Sequence, residues 1–233
     1  MRPFIIATLL SVFISCNSTT EINYTIDGES IPIDKHIGVD STTLSIYQPY
    51  KKGLDSIMNK VLCYSPYFLE KQKPEARLNN WMADVCFEYS TQMREADFCL
   101  LNYGGIRSTL PKGDITSKDI FQLMPFDNEL VIVEIPNSSF TKVLDYLKMS
   151  GGHPISNINL NITDDKIECS LKSEESIRIV TSDYLANGGD KMFFFADSIS
   201  MINTGLKIRE VLLDECKSVD TLISTIDNRF VYE

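Results

Sequence analysis

The chain has 233 residues, of which 43% are hydrophobic and 23% are charged. This is the composition of a globular protein, and it excludes a fibrous or intrinsically disordered chain. The 32 acidic residues outnumber the 22 Lys and Arg residues, giving a formal net charge of −10. That balance argues against binding nucleic acid polymers or anionic membranes through net charge. Composition alone names no function.

The first 15 residues read as a secretory signal and not as part of the fold. Arg2 precedes an apolar run from Phe4 to Ile14, which is shorter than the about 20 residues that cross a bilayer. The run ends at Phe13-Ile14-Ser15-Cys16, which resembles a bacterial lipobox and predicts lipid attachment at Cys16. A plain signal peptide cut nearby is the alternative. We expect a chain in the cell envelope, lipid-anchored to a bacterial membrane and facing the periplasm or the surface.

Residues 16–23 are polar and predict a short tether, and residues 24–233 predict one domain because no repeat or long linker interrupts them. Five cysteines follow Cys16, and they form no CxxC pair. Their odd number, and the apolar surroundings of Cys86 and Cys99, favour buried free thiols over a disulfide framework. They are Cys63, Cys86, Cys99, Cys169 and Cys216.

Apolar spacing predicts a mixture of helices and strands along this domain. The first half contains a helix carrying Leu54, Ile57, Met58, Val61 and Leu62, a helix carrying Leu78, Trp81, Met82, Val85 and Tyr89, a strand at 98–101, and a helix that Thr116 caps. The second half contains a strand at 130–135, a helix carrying Phe140, Val143, Leu144 and Leu147 that stops at Gly151-Gly152, strands within 158–181, a helix carrying Ile208, Val211 and Leu212, and a strand at 229–232. Strict βαβ alternation is absent, which predicts an α+β fold, a single mixed-sheet domain with helices packed on it.

The candidate ligand-binding residues lie in three loop segments. In residues 102–107 (NYGGIR), the glycines permit close backbone approach to a ligand, and Arg107 offers a rigid fork of donors to phosphate or carboxylate oxygens. Residues 124–128 (MPFDN) place Phe126 in a loop, and residues 182–190 (SDYLANGGD) combine an aromatic residue, a Gly-Gly pair and a carboxylate. Taken singly, each segment also reads as an ordinary turn or a loop anchor.

Together the segments closely resemble the C-terminal, substrate-binding domain of the 5′-nucleotidase family. The family pattern reads roughly NGGGIR, GDIT, LPFGN and FLAxGGD. This chain has NYGGIR at 102–107, GDIT at 113–116, MPFDN at 124–128 and YLANGGD at 184–190. Order and spacing agree from about residue 40 to 233, so the resemblance implies the fold of that domain and a nucleotide as its ligand.

The resemblance also implies a role for each matching residue. The expected phosphate-binding residues are Arg107, Asn102, Gly104 and Gly105. Phe126 and Tyr184 are the expected base-stacking rings, each offering an aromatic face. The expected base or ribose contacts are Asn128, Gly152 and Asp190.

The chain departs from the family pattern at several positions. Tyr103 and Asp127 replace glycines, and either side chain is expected to narrow the pocket or bring charge near it. Tyr184 stands where the family often has Phe. A second family arginine, expected upstream, has no counterpart; Lys71 or Lys73 is the candidate replacement, as a point charge without bidentate geometry.

Enzymes of this family are known to hydrolyse phosphate esters with two metal ions held by a separate N-terminal calcineurin-like domain. Such a centre needs many His, Asp and Asn ligands. This chain has two histidines, His36 and His153, which are far apart in sequence, and it lacks Gly-Asn-His and Gly-His-x-His patterns. We therefore expect no metal and no catalytic residue in this chain, and two divalent metals in a separate metallophosphatase chain.

Three hypotheses follow from these residues. In the first, the chain is the nucleotide-binding half of a 5′-nucleotidase-type phosphoric ester hydrolase of nucleotide catabolism, inactive until it meets its metallophosphatase partner. In the second, it is a non-catalytic envelope lipoprotein that binds nucleosides or nucleotides. In the third, it is a structural or vestigial module.

Overall fold

The computed structural model describes residues 28–34, 37–172 and 175–232. The predicted signal at 1–15, the tether at 16–23 with Cys16, the domain start at residue 24 and His36 lie outside the described residues. The chain divides into two compact units, Met1–Ile46 and Tyr47–Glu233. The strands and the candidate loops belong to the second unit.

Helix α1 (Ser41–Met58) differs from the predicted first helix at both ends. It begins earlier because Asp40 caps its first turn, where Asp40 Oδ1 accepts the Thr42 N–H at 2.9 Å. It ends before β1 (Val61–Ser65), which pairs antiparallel with β3 (Gly113–Thr116). The prediction that Val61 and Leu62 continue the helix was wrong, since pairing within a sheet overrides helical spacing of apolar residues. No residue of α1 is buried.

The remaining predicted elements occur in the predicted order, alongside several that apolar spacing did not predict. The helices are α2 (Arg77–Thr91), α3 (Ser117–Leu123), α4 (Asn137–Ser150), α5 (Asp183–Ala186) and α6 (Ile208–Ser218). The strands are β2 (Phe98–Leu100), β4 (Glu129–Pro136), β5 (Ile155–Ser156), β6 (Leu160–Ile162), β7 (Ile167–Cys169), β8 (Ser176–Ser182), β9 (Ser200–Lys207) and β10 (Phe230–Tyr232). Short 3₁₀ turns lie at Tyr103–Gly105, Gly189–Lys191 and Phe193–Asp197.

The predicted helix boundaries at α3 and α4 have visible physical causes. Thr116 and Asp119 form a reciprocal capping box at the start of α3. Gly151 ends α4 in the left-handed region, at φ 71°. Strand β9 was not predicted, because it is an edge strand with mostly exposed residues and gives no apolar alternation.

Among the described residues, the largest sheet has the strand order β5-β2-β8-β4-β9. β2 and β8 run parallel, and the other neighbours are antiparallel. Alternate side chains of its central strands point to opposite faces, so Cys99, Ile132 and Val180 pack with α2, α3 and α6. Phe98, Val133 and Ile179 pack on the other face with α4. The α+β prediction is confirmed.

The five cysteines in the described part of the chain are free thiols, and all but the half-buried Cys169 are buried. Burial raises the pKa of the Cys86 thiol to about 12, which keeps it protonated at neutral pH. In the same part of the chain, no helix has both the length and the hydropathy needed to span a bilayer.

Candidate functional site

The directions of the strands bring the three candidate loops to one side of the five-stranded sheet, where β2 and β8 end and β4 begins. β2 and β8 are parallel, with Cys99 opposite Val180, so the chain leaves both strands at the same edge. β4 is antiparallel to β8, with Leu130 opposite Ser182, so the loop before β4 also lies at that edge. Segments 102–107, 124–128 and 182–190 therefore meet although they are far apart in sequence.

A cavity of about 290 Å³ opens between these loops, close to the lower end of the roughly 300–1,000 Å³ typical of small-molecule sites. Its lining combines a cation, a carboxylate, two aromatic rings, two amides and two glycines. The lining residues are Asn102, Gly104, Gly105, Arg107, Phe126, Asn128, Tyr184 and Asp190. All eight are candidate site residues from the sequence, and the structure brings them together.

Arg107 and the two rings keep their binding surfaces open. The Arg107 Cζ lies 5.8 Å from the centroid of the Phe126 ring, and Nη1 donates to the Gly104 carbonyl at 3.4 Å. The guanidinium has five N–H donors, so most remain for an anionic ligand. Phe126 is 40% exposed and Tyr184 is 47% exposed, which leaves aromatic surface available for stacking.

The Asp190 carboxylate joins the first and third loops. Its Oδ2 accepts the Asn102 Nδ2 at 2.6 Å, and its Oδ1 accepts the Tyr184 hydroxyl at 3.0 Å. The Asp190 N–H donates to the same hydroxyl oxygen at 3.3 Å. The hydroxyl that distinguishes Tyr184 from the family's Phe is therefore used to hold Asp190.

Close packing explains one of the motif glycines. A Cβ at residue 105 would lie 2.5 Å from Asn102 Oδ1, so a larger residue would displace the amide that holds Asp190. Tyr103, in contrast, replaces a family glycine without lining the cavity. The ammonium groups of Lys71 and Lys73 lie over its ring at 4.4 and 5.3 Å.

Arg209 neutralises the charge of Asp127, the second residue that replaces a family glycine. Its guanidinium pairs with the Asp127 carboxylate and donates to the Phe126 carbonyl at 3.1 Å. The Arg209 side chain is 15% exposed, and it reaches this loop because α6 begins where β9 ends, at the same sheet edge. Sequence reasoning missed Arg209, since nothing in a one-dimensional pattern pairs residues so far apart.

The structure does not bring Lys71, Lys73 or Gly152 to the cavity. Lys71 Nζ donates to the carbonyls of Tyr103 at 3.2 Å and Ile106 at 2.6 Å, and Lys73 Nζ donates to the Ser150 carbonyl. Burial and the neighbouring Arg107 lower the pKa of Lys71. The ammonium groups are bound to backbone carbonyls and do not line the cavity, and their predicted use as phosphate ligands stays a prediction.

Gly152, predicted as a base or ribose contact, is buried away from the cavity. Its φ is +107°, and a Cβ there would lie 2.9 Å from Pro74 backbone atoms. The glycine is therefore required by backbone packing. The next residue, His153, is buried, and burial together with Lys73 lowers its pKa to about 4.

In the described ranges, no three His, Cys, Asp or Glu side chains are grouped so that they could hold a metal ion. The donors present there do not fit the two-metal centre that the resemblance associates with the other domain of the family.

The sequence model of the family described as 5′-nucleotidase, C-terminal domain, matches residues 60–197. The chain belongs to this family. It is 27% identical over 222 residues to the 5′-nucleotidase of Vibrio parahaemolyticus, covering 88% of this chain and 39% of that protein. It is 31% identical over 196 residues to Protein UshA of Yersinia enterocolitica, covering 79% of this chain and 36% of that protein.

A solved structure shows the same fold. The crystal structure of a 5′-nucleotidase precursor from Thermus thermophilus matches with a TM-score of 0.68 and 19% identity, over 82% of this chain and 43% of that chain. This member of the 5′-nucleotidase family thus spans about two fifths of the length of its relatives.

Proposed function

We propose that this chain is the nucleotide-binding part of a 5′-nucleotidase-type phosphoric ester hydrolase and that it binds a nucleoside monophosphate. The cavity carries the proposal. Three sequence-distant loops bring an arginine, two exposed aromatic rings and a carboxylate to one space. Family membership supports the choice of a nucleotide over other ligands with a phosphate and a ring.

Each part of such a ligand has a matching group in the cavity. The phosphate pairs with Arg107, whose charge-assisted donors are the strongest in the site. The base stacks on Phe126 and Tyr184, and each such contact is worth about 1–3 kcal/mol. The ribose hydroxyls donate to the Asp190 carboxylate.

We propose further that the chain acts with a separate metallophosphatase chain, which supplies the two divalent metals and the hydrolytic chemistry. The cavity supports the binding half of this division, because its arginine, rings and carboxylate are ligand-binding groups. In the described ranges, no group of His, Cys, Asp or Glu side chains is placed to hold a metal ion. In this arrangement the present chain binds the nucleotide and orients its phosphate.

Residues 1–16 support a location for this activity. The apolar run and Cys16 lead us to propose that the mature chain is held on a bacterial membrane by lipid and acts in the cell envelope.

Calorimetric titration of the full chain with AMP and with adenosine tests the binding proposal. Arg107→Ala should weaken AMP binding at least tenfold and change adenosine binding by no more than about twofold, because in the proposed complex the guanidinium binds the phosphate and neither the base nor the ribose. Arg94→Ala is the matched control, since Arg94 is exposed and lies outside the cavity. Absence of AMP binding by the wild-type chain would overturn the proposal.

Activity of a mixture tests the partner. A metallophosphatase from the same genome that lacks this C-terminal domain should release phosphate from AMP faster with the chain than without it, and Arg107→Ala should remove most of that gain. AMP binding without any gain, for every such partner, would favour the alternative of a non-catalytic nucleotide-binding lipoprotein.

A further inference from the structure

We infer that His153 and Tyr146 form one positioning unit that fixes the separation of the two cavity loops at Tyr103–Gly105 and Gly189–Lys191. This inference deepens the proposed function and rests on it. Neither residue lines the cavity, and neither belongs to the family motifs of the three loops. Their contacts nevertheless connect the backbones of both loops.

His153 holds the first loop. Its Nδ1 accepts the Tyr103 N–H at 3.0 Å, at the start of the 3₁₀ turn that carries Gly104 and Gly105 into the cavity. An imidazole that accepts at Nδ1 is neutral and carries its proton on Nε2. His153 is 6% exposed, and its lowered pKa keeps it in that form at neutral pH.

Tyr146 holds the second loop. Its hydroxyl donates to the Asp190 carbonyl at 2.9 Å. Asp190 has φ 50° and ψ 26°, a left-handed conformation that non-glycine residues keep only where neighbouring contacts impose it. The bond to the carbonyl therefore fixes the peptide on which the direction of the Asp190 carboxylate depends.

The two side chains are coupled to each other. The rings of Tyr146 and His153 stack with centroids 5.3 Å apart and an interplanar angle of 28°. Tyr146 also meets Phe194 edge-on, at 5.6 Å and 65°. Rotation of either ring would therefore disturb the other, and Tyr146 cannot move without repacking Phe194.

A second connection between the loops runs through side chains, from Asn102 to Asp190 at 2.6 Å. This bond ends on the carboxylate that the ribose hydroxyls also need, so its geometry depends on what the carboxylate binds. The connection through His153 and Tyr146 ends on a backbone N–H and a backbone carbonyl, which the ligand does not need. It keeps the loops in place whichever groups bind the Asp190 carboxylate.

Three variants of the full chain separate positioning from packing. His153→Leu removes the acceptor for the Tyr103 N–H, whereas His153→Asn supplies an oxygen near the place of Nδ1. Tyr146→Phe removes the hydroxyl and keeps the ring. Tyr232→Phe is the matched control, since it deletes a tyrosine hydroxyl that donates to the Lys148 carbonyl at 3.2 Å, away from the cavity.

AMP titration and hydrogen exchange of the Tyr103 amide give the readouts. His153→Leu and Tyr146→Phe should each weaken AMP binding by about five- to thirtyfold. His153→Asn and Tyr232→Phe should bind AMP within about threefold of wild type. Exchange at the Tyr103 amide should accelerate in His153→Leu and return toward the wild-type rate in His153→Asn.

The outcomes distinguish the two proposals. If the wild-type chain does not bind AMP, the proposed function fails and this inference fails with it. If wild type binds and Tyr146→Phe binds equally well, the inference alone is wrong. Equal losses in His153→Asn and His153→Leu would also overturn it, because packing and not hydrogen bonding would then be responsible. If His153→Leu does not fold, Tyr146→Phe decides.

Discussion

Tyr184 uses different atoms for two purposes. Its exposed ring lines the cavity, and its hydroxyl bonds the Asp190 carboxylate and N–H. A phenylalanine, which the family often has here, would keep the stacking face and lose both hydrogen bonds. The ring is therefore expected to set affinity for the base, and the hydroxyl to order Asp190 before a ligand arrives.

Substitution of Tyr184 separates these contributions. Tyr184→Ala should weaken AMP by roughly five- to a hundredfold, the loss of one stacking contact, whereas Tyr184→Phe should stay within about threefold. Calorimetric titration measures both. If Tyr184→Phe lost as much as Tyr184→Ala, the hydroxyl and not the ring would dominate binding.

The sequence predicted the residues that line the cavity and missed the residues that hold the cavity loops in place. All eight lining residues follow from the resemblance, because motif positions carry their roles with them. The sequence indicated no role for His153, Tyr146 or Arg209, since their contacts exist only after folding. Lys71 and Lys73 were predicted from their charge and their place in the chain, and neither reveals that carbonyls already bind them.

Helix α6 is connected to the loop before β4 through the side chain of Arg209. Arg209, at the start of α6, donates to the carbonyls of Met124 at 3.4 Å and Phe126 at 3.1 Å and pairs with the Asp127 carboxylate. The Asp127 side chain is 68% exposed, so its ion pair is screened by solvent and contributes little. We therefore expect the carbonyl bonds to matter more than the ion pair for the position of Phe126.

A double-mutant cycle on this pair tests the order of importance. Arg209→Ala should weaken AMP by about three- to tenfold, and Asp127→Ala by less than about threefold, because Arg209 keeps its bond to the Phe126 carbonyl. The coupling free energy should be about 0.5–1 kcal/mol. A larger loss in Asp127→Ala than in Arg209→Ala would show that the carboxylate, not the carbonyl, holds the loop.

Elements were predicted best where one face is buried. The spacing of Leu78, Trp81 and Val85 identified α2 because all three face the core. The exposed edge strand β9 and the limits of α1 were not predicted, since pairing partners and an upstream cap decide them. Local patterns carry information about burial and none about which strand lies next to which.

Stability against pH is a property of the whole molecule, and His153 contributes to it. Burial and the nearby Lys73 lower its pKa to about 4 from 6.5, while Asp190 opposes the shift. Since the unfolded chain binds a proton first, folded stability is complete above pH 6.5 and falls as the pH drops toward 4. Below pH 4 both states are protonated and the loss stops growing.

Urea unfolding at pH 7 and pH 5 measures this contribution. The free energy of unfolding should fall by about 2 kcal/mol more in wild type than in His153→Asn, which has no group that titrates in this range. Comparing the two chains removes the contribution of other titrating groups. Equal pH dependence in both chains would mean that His153 is protonated in the folded state well above pH 4.

The proposed lipid anchor is tested on the whole chain expressed in bacteria. Wild type should incorporate a labelled fatty acid and sediment with membranes, because acylation of Cys16 supplies the attachment. Cys16→Ser should lose the label and appear in the soluble envelope fraction, with Cys169→Ser as a control for the loss of a thiol. Label retained in Cys16→Ser would place the lipid elsewhere.

The position of the cavity has an evolutionary consequence. Its lining comes from loops at one end of the strands, whereas the two packed cores lie on the faces of the sheet. Replacements in the cavity lining touch few of the contacts that keep the chain folded. Selection can therefore reshape what this scaffold recognises while its architecture stays unchanged.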